Sequence, residues 1–135
     1  MKISIDSHEV HVANGGREHQ AGKPHLLFVH GAGHSHLTFV LQTRALAYDG
    51  WNVIAADLPG HGFSGGEPLE TIGAMAEFML KVMDALSVER AVVCGHSMGG
   101  LIALALAAIA PHRVRALVMI GTAASIDSTC QPSPS

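Results

Sequence analysis

The sequence is poor in charge and in aromatic side chains. Charged residues make up 14% of its 135 positions and aromatic residues 4%, against 48% hydrophobic residues. The eight basic residues are scattered singly, so the chain has no polybasic segment for a phosphate backbone or an anionic membrane surface. This composition argues against a disordered chain, predicts one ordinary domain with a real core, and predicts no nucleic-acid partner.

Long apolar segments and paired cysteines are also lacking. The longest apolar run, Leu101 to Ala110, is too short to span a bilayer, and charge follows Met1 too soon for a secretory signal. Cys94 lies in a predicted buried strand and Cys130 in a polar segment, so we expect no disulfide between them. We therefore expect a cytoplasmic protein without a membrane span, in which Cys94 is inert core.

What the sequence does contain is an alternation of strand and helix patterns. Apolar and polar residues alternate at Ile3–Ile5 and Val10–Val12, which predicts an N-terminal antiparallel pair. Apolar runs predict four further strands, at 26–29, 51–56, 91–94 and 114–120. Helices are predicted between them, at 37–48, 72–86 and 101–110. This order predicts an α/β fold: a mostly parallel sheet of six strands with three main helices on both faces.

Apolar residues recur at close to helical spacing in the first two predicted helices. In 37–48 these positions are Leu37, Val40, Leu41, Ala45 and Tyr48. In 72–86 they are Ile72, Met75, Met79, Val82 and Leu86. Spacing of this kind marks one apolar face of an amphipathic helix.

A sharp turn separates strand 91–94 from the helix that follows it. Its sequence is Gly95-His96-Ser97-Met98-Gly99, and the two glycines leave room for strand and helix to approach each other. We expect a strained backbone at Ser97, with its hydroxyl presented off the end of the sheet. The amide of Met98 begins the helix, where it can face a developing negative charge. This pattern is typical of a nucleophile elbow.

Two further motifs precede the elbow: His30-Gly31-Ala32-Gly33, directly after strand 26–29, and Asp57-Leu58-Pro59-Gly60-His61-Gly62-Phe63-Ser64. In this order and spacing, the three motifs resemble the α/β-hydrolase superfamily over residues 3–124, and its serine esterase, lipase and lactonase branches most. The resemblance implies Ser97 as the nucleophile, the amides of Ala32 and Met98 as oxyanion donors, a small ester, thioester or lactone as substrate, and no cofactor. It implies supporting positions in the loop and the elbow for His30, Gly31, Gly33, Gly95, His96 and Gly99. For His30 and His96 we expect packing or hydrogen bonding rather than a role as the base.

The resemblance also implies a catalytic acid and a catalytic histidine, for which this sequence has no matching positions. The catalytic triad of that superfamily runs in the chain order serine, acid, histidine. No histidine follows His112, which lies beyond the helix after Ser97, and Asp127 is the only carboxylate after Ser97. We therefore expect residues 1–124 to be the N-terminal part of a hydrolase domain, inactive or weakly active alone, with a polar, disordered tail at 125–135. Its sixth strand would be a bare edge, through which we expect self-association.

Other functions fit parts of the sequence. One stretch resembles a dinucleotide-binding unit: strand 26–29, the glycines that follow it, and Asp57. His36 stands where the third glycine of such a unit belongs. A noncatalytic chain that binds a partner through its uncovered face is another alternative. A metal site at His30, His34 and His36 is not expected, because the usual spacing of two helical histidines with a carboxylate is absent.

Overall fold

The computed structural model describes residues 1–121, which form a six-stranded sheet with helices on both faces. The strands are β1 (Lys2–Ile5), β2 (His8–Ala13), β3 (His25–Val29), β4 (Asn52–Ala56), β5 (Ala91–His96) and β6 (Val114–Ile120). The helices are α1 (Val40–Ala47), α2 (Ile72–Ala85) and α3 (Met98–Ile109), with 3₁₀ turns at His36–Phe39 and Pro111–Arg113. The predicted fold class is confirmed, and the predicted tail at 125–135 lies outside the described residues.

The sheet is antiparallel at one side and parallel in the rest. Its strand order is β1-β2-β4-β3-β5-β6, with β1 antiparallel to β2 and β2 antiparallel to β4, as the N-terminal pattern predicts for the first pair. In the parallel part Leu27 lies between Ile54 and Val93. The carboxyl ends of β3, β4 and β5 therefore meet at one edge, where open α/β sheets bind ligands.

Side-chain alternation along the central strands divides the core into two layers. Leu27, Ile54 and Val93 pack in one layer with α2 and α3. Phe28 and Cys94 pack in the other, with Phe39 and Ala47 from the α1 segment. Because both faces are covered, these strands appear as unbroken apolar runs in the sequence. Burial raises the pKa of the Cys94 thiol, which agrees with its predicted place in the core.

Helix α1 forms where it is predicted, but it is rotated relative to its apolar spacing. The predicted apolar positions are all exposed: Leu37, Val40, Leu41, Ala45 and Tyr48. The buried side chains are Phe39, Thr43 and Ala47. Phe39 packs on Phe28 with ring centroids 4.7 Å apart, and the turn at Gly15 approaches so closely that an added Cβ would overlap Thr43 and Ala47. These contacts, rather than the apolar stripe, determine which side of α1 faces the sheet.

Strand β6 is an edge within residues 1–121, where it pairs with β5 alone. Its last residues are partly open to solvent, with Val118 43% and Ile120 47% exposed. On the adjacent helix α3, Leu104 and Ile109 are also exposed. An uncovered apolar edge of this kind is available for pairing with another strand. Within the same residues, no helix has both the length and the apolar character needed to cross a bilayer.

Candidate active site

Ser97 lies at the junction of β5 and α3 in a conformation that L-residues rarely adopt. Its φ is 58° and its ψ is −123°, and the residue is exposed. Its N–H donates to the carbonyl of Ile120 at 2.9 Å, and its carbonyl accepts from the N–H of Gly100 at 2.9 Å. A backbone in such a region costs about 1–3 kcal/mol and persists only when its surroundings hold it. The strained turn expected from the sequence is confirmed.

The two elbow glycines allow backbone atoms to approach more closely than any other residue would permit. A Cβ added to Gly95 would overlap the carbonyl of Gly99 and lie 2.6 Å from the nitrogen of Gly100. A Cβ added to Gly99 would overlap the carbonyl of Val29 at the end of β3. Strand β5, helix α3 and the end of β3 therefore meet only because these positions lack side chains.

The loop that follows β3 packs against the elbow. A Cβ on Gly31 would lie 3.4 Å from the Cβ of Ser97 and 3.3 Å from the carbonyl oxygen of His96. Ala32 and Met98 both line an adjacent cleft of about 480 Å³. The other residues around this cleft are Gly33, His34, Gly60, His61, Gly62, Pro68, Leu69 and Met75. The structure thus brings the two expected oxyanion donors to one cleft, while their role in binding an oxyanion stays a prediction.

His30 fixes the start of this loop. Its side chain is buried, its Nδ1 donates to the carbonyl of Gly31 at 2.7 Å, and its Nε2 accepts from the amide of Leu58 at 3.0 Å. This pattern requires a neutral ring protonated on Nδ1. Burial lowers the pKa of His30, and the neighbouring His61 adds to this, although the Gly31 carbonyl acts in the opposite direction. His30 is held by hydrogen bonds, as the sequence leads us to expect.

We expect the protein to lose stability as the pH falls from 7.5 to 5.5. Burial is the largest cause that lowers the pKa values of His11, His25 and His30. The unfolded chain therefore takes up protons near pH 6.5 before the folded chain does, so stability is complete above that pH and declines below it. Urea unfolding at the two pH values measures the difference.

The control for this pH dependence uses two histidine variants. His30→Gln should reduce the slope of stability against pH, whereas His8→Gln, at an exposed position, should leave it unchanged. An equal slope in wild type and His30→Gln would contradict the assignment of a neutral His30.

His96 packs rather than pointing into the cleft. Its ring lies 6.0 Å from that of His34 and 6.3 Å from that of Phe39, measured between ring centroids. Its Nδ1 is buried and has no hydrogen-bond partner among residues 1–121. Two residues that follow Ser97 in the sequence were considered for the base and the acid. His112 lies beyond α3, whose 12 residues extend roughly 18 Å along the helix axis. Asp127 is outside the described residues.

Asp57 organises the loops around the end of β4, a role that the sequence did not reveal. Its buried carboxylate accepts from the amide of His36 at 2.6 Å, from Nδ1 of His36 at 2.9 Å and from the amide of Phe63 at 3.0 Å. Burial alone would raise the pKa of Asp57, but these donors outweigh it and hold the pKa below its ordinary value. The carboxylate has no exposed surface for a ribose hydroxyl. The dinucleotide-binding alternative is therefore wrong about this residue.

The strain at Ser97 predicts a difference between two variants that both lack the hydroxyl. Ser97→Gly should have a free energy of unfolding about 1 kcal/mol higher than Ser97→Ala, because glycine adopts a φ of 58° without a steric penalty. Urea unfolding followed by circular dichroism measures the difference. A Ser97→Ala variant as stable as Ser97→Gly would show that the turn is not strained.

A strained, exposed serine between a central strand and a helix, with a glycine loop packed against it, is an arrangement typical of one class of α/β fold. The sequence model described as the α/β hydrolase fold matches residues 24–134. The chain therefore belongs to the α/β hydrolase fold family.

Several known proteins share this part of the fold. Esterase YbfF of Escherichia coli (strain K12) is 34% identical over 106 residues, which are 78% of this chain and 41% of that protein. The dihydrolipoyllysine-residue acetyltransferase component of the acetoin cleaving system of Cupriavidus necator is 40% identical over 100 residues, 73% of this chain and 26% of that protein. The crystal structure of the enol-lactonase from Burkholderia xenovorans LB400 has a TM-score of 0.75 and 30% identity, covering 84% of this chain and 44% of that one. The chain thus spans less than half of each relative.

Proposed function

We propose that Ser97 is the nucleophile of a serine hydrolase that acts on a carboxylic ester, a thioester or a lactone. The observation that carries this proposal is the exposed Ser97 at a φ of 58°, with the Gly31 loop packed against it. A serine forced into this conformation is typical of a nucleophile elbow. The similarity to an esterase and to an enol-lactonase supports the substrate class.

In the proposed reaction, the Oγ of Ser97 attacks the substrate carbonyl carbon and the carbonyl oxygen becomes an oxyanion. The amides of Ala32 and Met98 would donate to that oxyanion. The Met98 amide is suited to this because the first amides of a helix have no carbonyl partner within the helix. Water would then release the acyl group and regenerate the hydroxyl. No cofactor takes part in this chemistry.

The proton of the Ser97 hydroxyl needs an acceptor, since a neutral serine is a weak nucleophile. In the family's chain order the acid and the histidine follow the serine, and no histidine follows His112 in this sequence. We therefore propose that the base and the acid come from outside residues 1–135. This chain alone would then keep only the rate enhancement of its oxyanion donors and binding, about 10³- to 10⁴-fold over water in enzymes without a triad.

Covalent labelling with a fluorophosphonate tests the nucleophile. We expect the label at Ser97, located by peptide mass spectrometry, and a labelling rate at least about tenfold higher in the folded chain than in concentrated urea. The expected increase in labelling rate is modest because residues 1–135 are proposed to lack the base that activates the serine. Ser97→Ala should take no label at this peptide. Equal rates in the folded and unfolded chains, or a label on another serine, would contradict the proposal.

The noncatalytic alternative has one observation in its favour, the apolar edge formed by β6. Val118, Met119 and Ile120 are exposed there, and the same edge would serve the expected self-association. Labelling separates the two functions, because a chain that only binds a partner should be labelled no faster when folded than when unfolded.

A further inference from the structure

The fold brings together three side chains that are far apart in the sequence. His11, His36 and Asp57 each offer one potential metal-ligating atom, and these atoms all lie within 4.8 Å of one another. The pairing of β2 with β4 places His11 beside Asp57, whose N–H donates to the His11 carbonyl at 3.0 Å. His36 reaches the cluster from the 3₁₀ turn before α1.

The spacing of the closest atoms suits a small cation. Nδ1 of His36 lies 2.9 Å from Oδ1 and 3.0 Å from Oδ2 of Asp57. Two adjacent ligands that each lie about 2.1 Å from one cation, at about 90° to each other, are about 3.0 Å apart. A cation can therefore take the place of the proton between Nδ1 of His36 and Asp57. That proton moves to Nε2 of the ring, so His36 binds the cation as a neutral imidazole.

Hydrogen bonds outside the cluster hold its ligands in place. The backbone amides of His36 and Phe63 donate to different oxygens of Asp57, at 2.6 Å and 3.0 Å, and each oxygen keeps a further lone pair. The hydroxyl of Ser64 connects the backbones of His11 and Asp57. It accepts from the His11 amide at 3.0 Å and donates to the Asp57 carbonyl at 2.8 Å. Such outer contacts orient metal ligands and raise metal affinity.

The burial and charge of the cluster also favour a cation. The Asp57 carboxylate is fully buried, and the His36 side chain is only 11% exposed. The carboxylate of Asp57 places a negative charge beside the two imidazoles. The partly exposed His11 leaves a path from solvent, beside the exposed ring of Phe63.

We propose that His11, His36 and Asp57 bind a divalent transition-metal ion of the Zn²⁺, Co²⁺ or Ni²⁺ class. Two imidazoles and one carboxylate are a donor set that such ions prefer, and water would complete the coordination. The bound ion would tie β2 to the loop after β4. This site differs from the His30, His34 and His36 set considered in the sequence, and it does not depend on the chemistry of Ser97.

Titration of the full chain with Co²⁺ tests the site through visible absorption. Cys130→Ser serves as the background, so that the thiol of Cys130 cannot bind the cation. We expect bands that saturate at one equivalent and disappear on addition of Zn²⁺. His11→Gln should weaken binding by at least about tenfold. His8→Gln, which changes an exposed histidine on the same strand, should bind like the background.

Circular dichroism checks that His11→Gln is folded before it is titrated. A background protein without saturable bands, or a folded His11→Gln with unchanged affinity, overturns the site. Ser97→Ala should bind Co²⁺ as the background does, so a failure of the metal site and a failure of the proposed hydrolase are distinguishable.

Discussion

Gly95→Ala should unfold the protein or lower its free energy of unfolding by more than about 4 kcal/mol, beyond the range of most single substitutions. The new Cβ would overlap the carbonyl of Gly99 and lie 2.6 Å from the nitrogen of Gly100. These are backbone atoms of the first turn of α3, so no flexible side chain can move aside. Relief requires a shift of α3 away from β5, which would open the core beneath both. Urea unfolding followed by circular dichroism gives the value.

Gly73→Ala is the matched control for Gly95→Ala. Gly73 lies in α2, and a Cβ there would meet nothing within 4 Å. We expect this variant to be more stable than wild type by about 0.5–1 kcal/mol, since alanine is the better helix former. A Gly95→Ala variant within about 1 kcal/mol of wild type would mean that strand and helix are not held at the described distance.

Asp57→Asn should lower the free energy of unfolding by roughly 3–5 kcal/mol, the usual cost of removing one partner from a buried ionic network. The fully buried carboxylate accepts hydrogen bonds from the amides of His36 and Phe63 and from the His36 ring. An asparagine amide would turn its own N–H groups toward one of these donors, which would then lack an acceptor. Urea unfolding in metal-free buffer at pH 7 measures the loss.

The same substitution should change the acid branch of the stability curve. Burial would raise the pKa of Asp57, but its donors outweigh burial and lower it. The contribution of this carboxylate is therefore complete above the pKa of an unfolded aspartate, near pH 4, and is lost as the pH falls through the lower folded value. Asp57→Asn should flatten that branch, whereas Asp49→Asn, at an exposed position, should leave it unchanged. An unaltered acid branch in Asp57→Asn would contradict the assigned hydrogen bonds.

The sequence predicts the strands better than it predicts the orientation of the first helix. The apolar runs at 26–29 and 51–56 became β3 and β4, with small shifts at their ends. Covered strands are visible in a sequence because a strand buried on both faces must be apolar throughout. Helix α1 packs on one face of the sheet, but most of its apolar residues are exposed to solvent. Its orientation depends on contacts with Phe28 and with the Gly15 turn, both of which are distant from α1 in the sequence.

The candidate site was also predicted from the sequence only in part. Ser97, Gly95 and Gly99 are adjacent in the chain, so a local motif was enough to predict a strained turn. The resemblance implied one oxyanion donor in the loop after strand 26–29 and one in the elbow, and the structure packs Gly31 of that loop against Ser97. No local pattern joins His11 to Asp57, and the hydrogen bonds of that carboxylate were not predicted.

The sequence by itself determined the order of strands and helices, a sheet with helices on both faces, and the elbow at Ser97. It could do so because burial and local backbone geometry impose their requirements on neighbouring residues. Only the tertiary structure decided which side of α1 is buried and which groups surround Asp57. Those choices depend on contacts between β2, β4 and the loops that follow β3 and β4, and hydrogen bonds between distant segments leave no periodic pattern in a sequence.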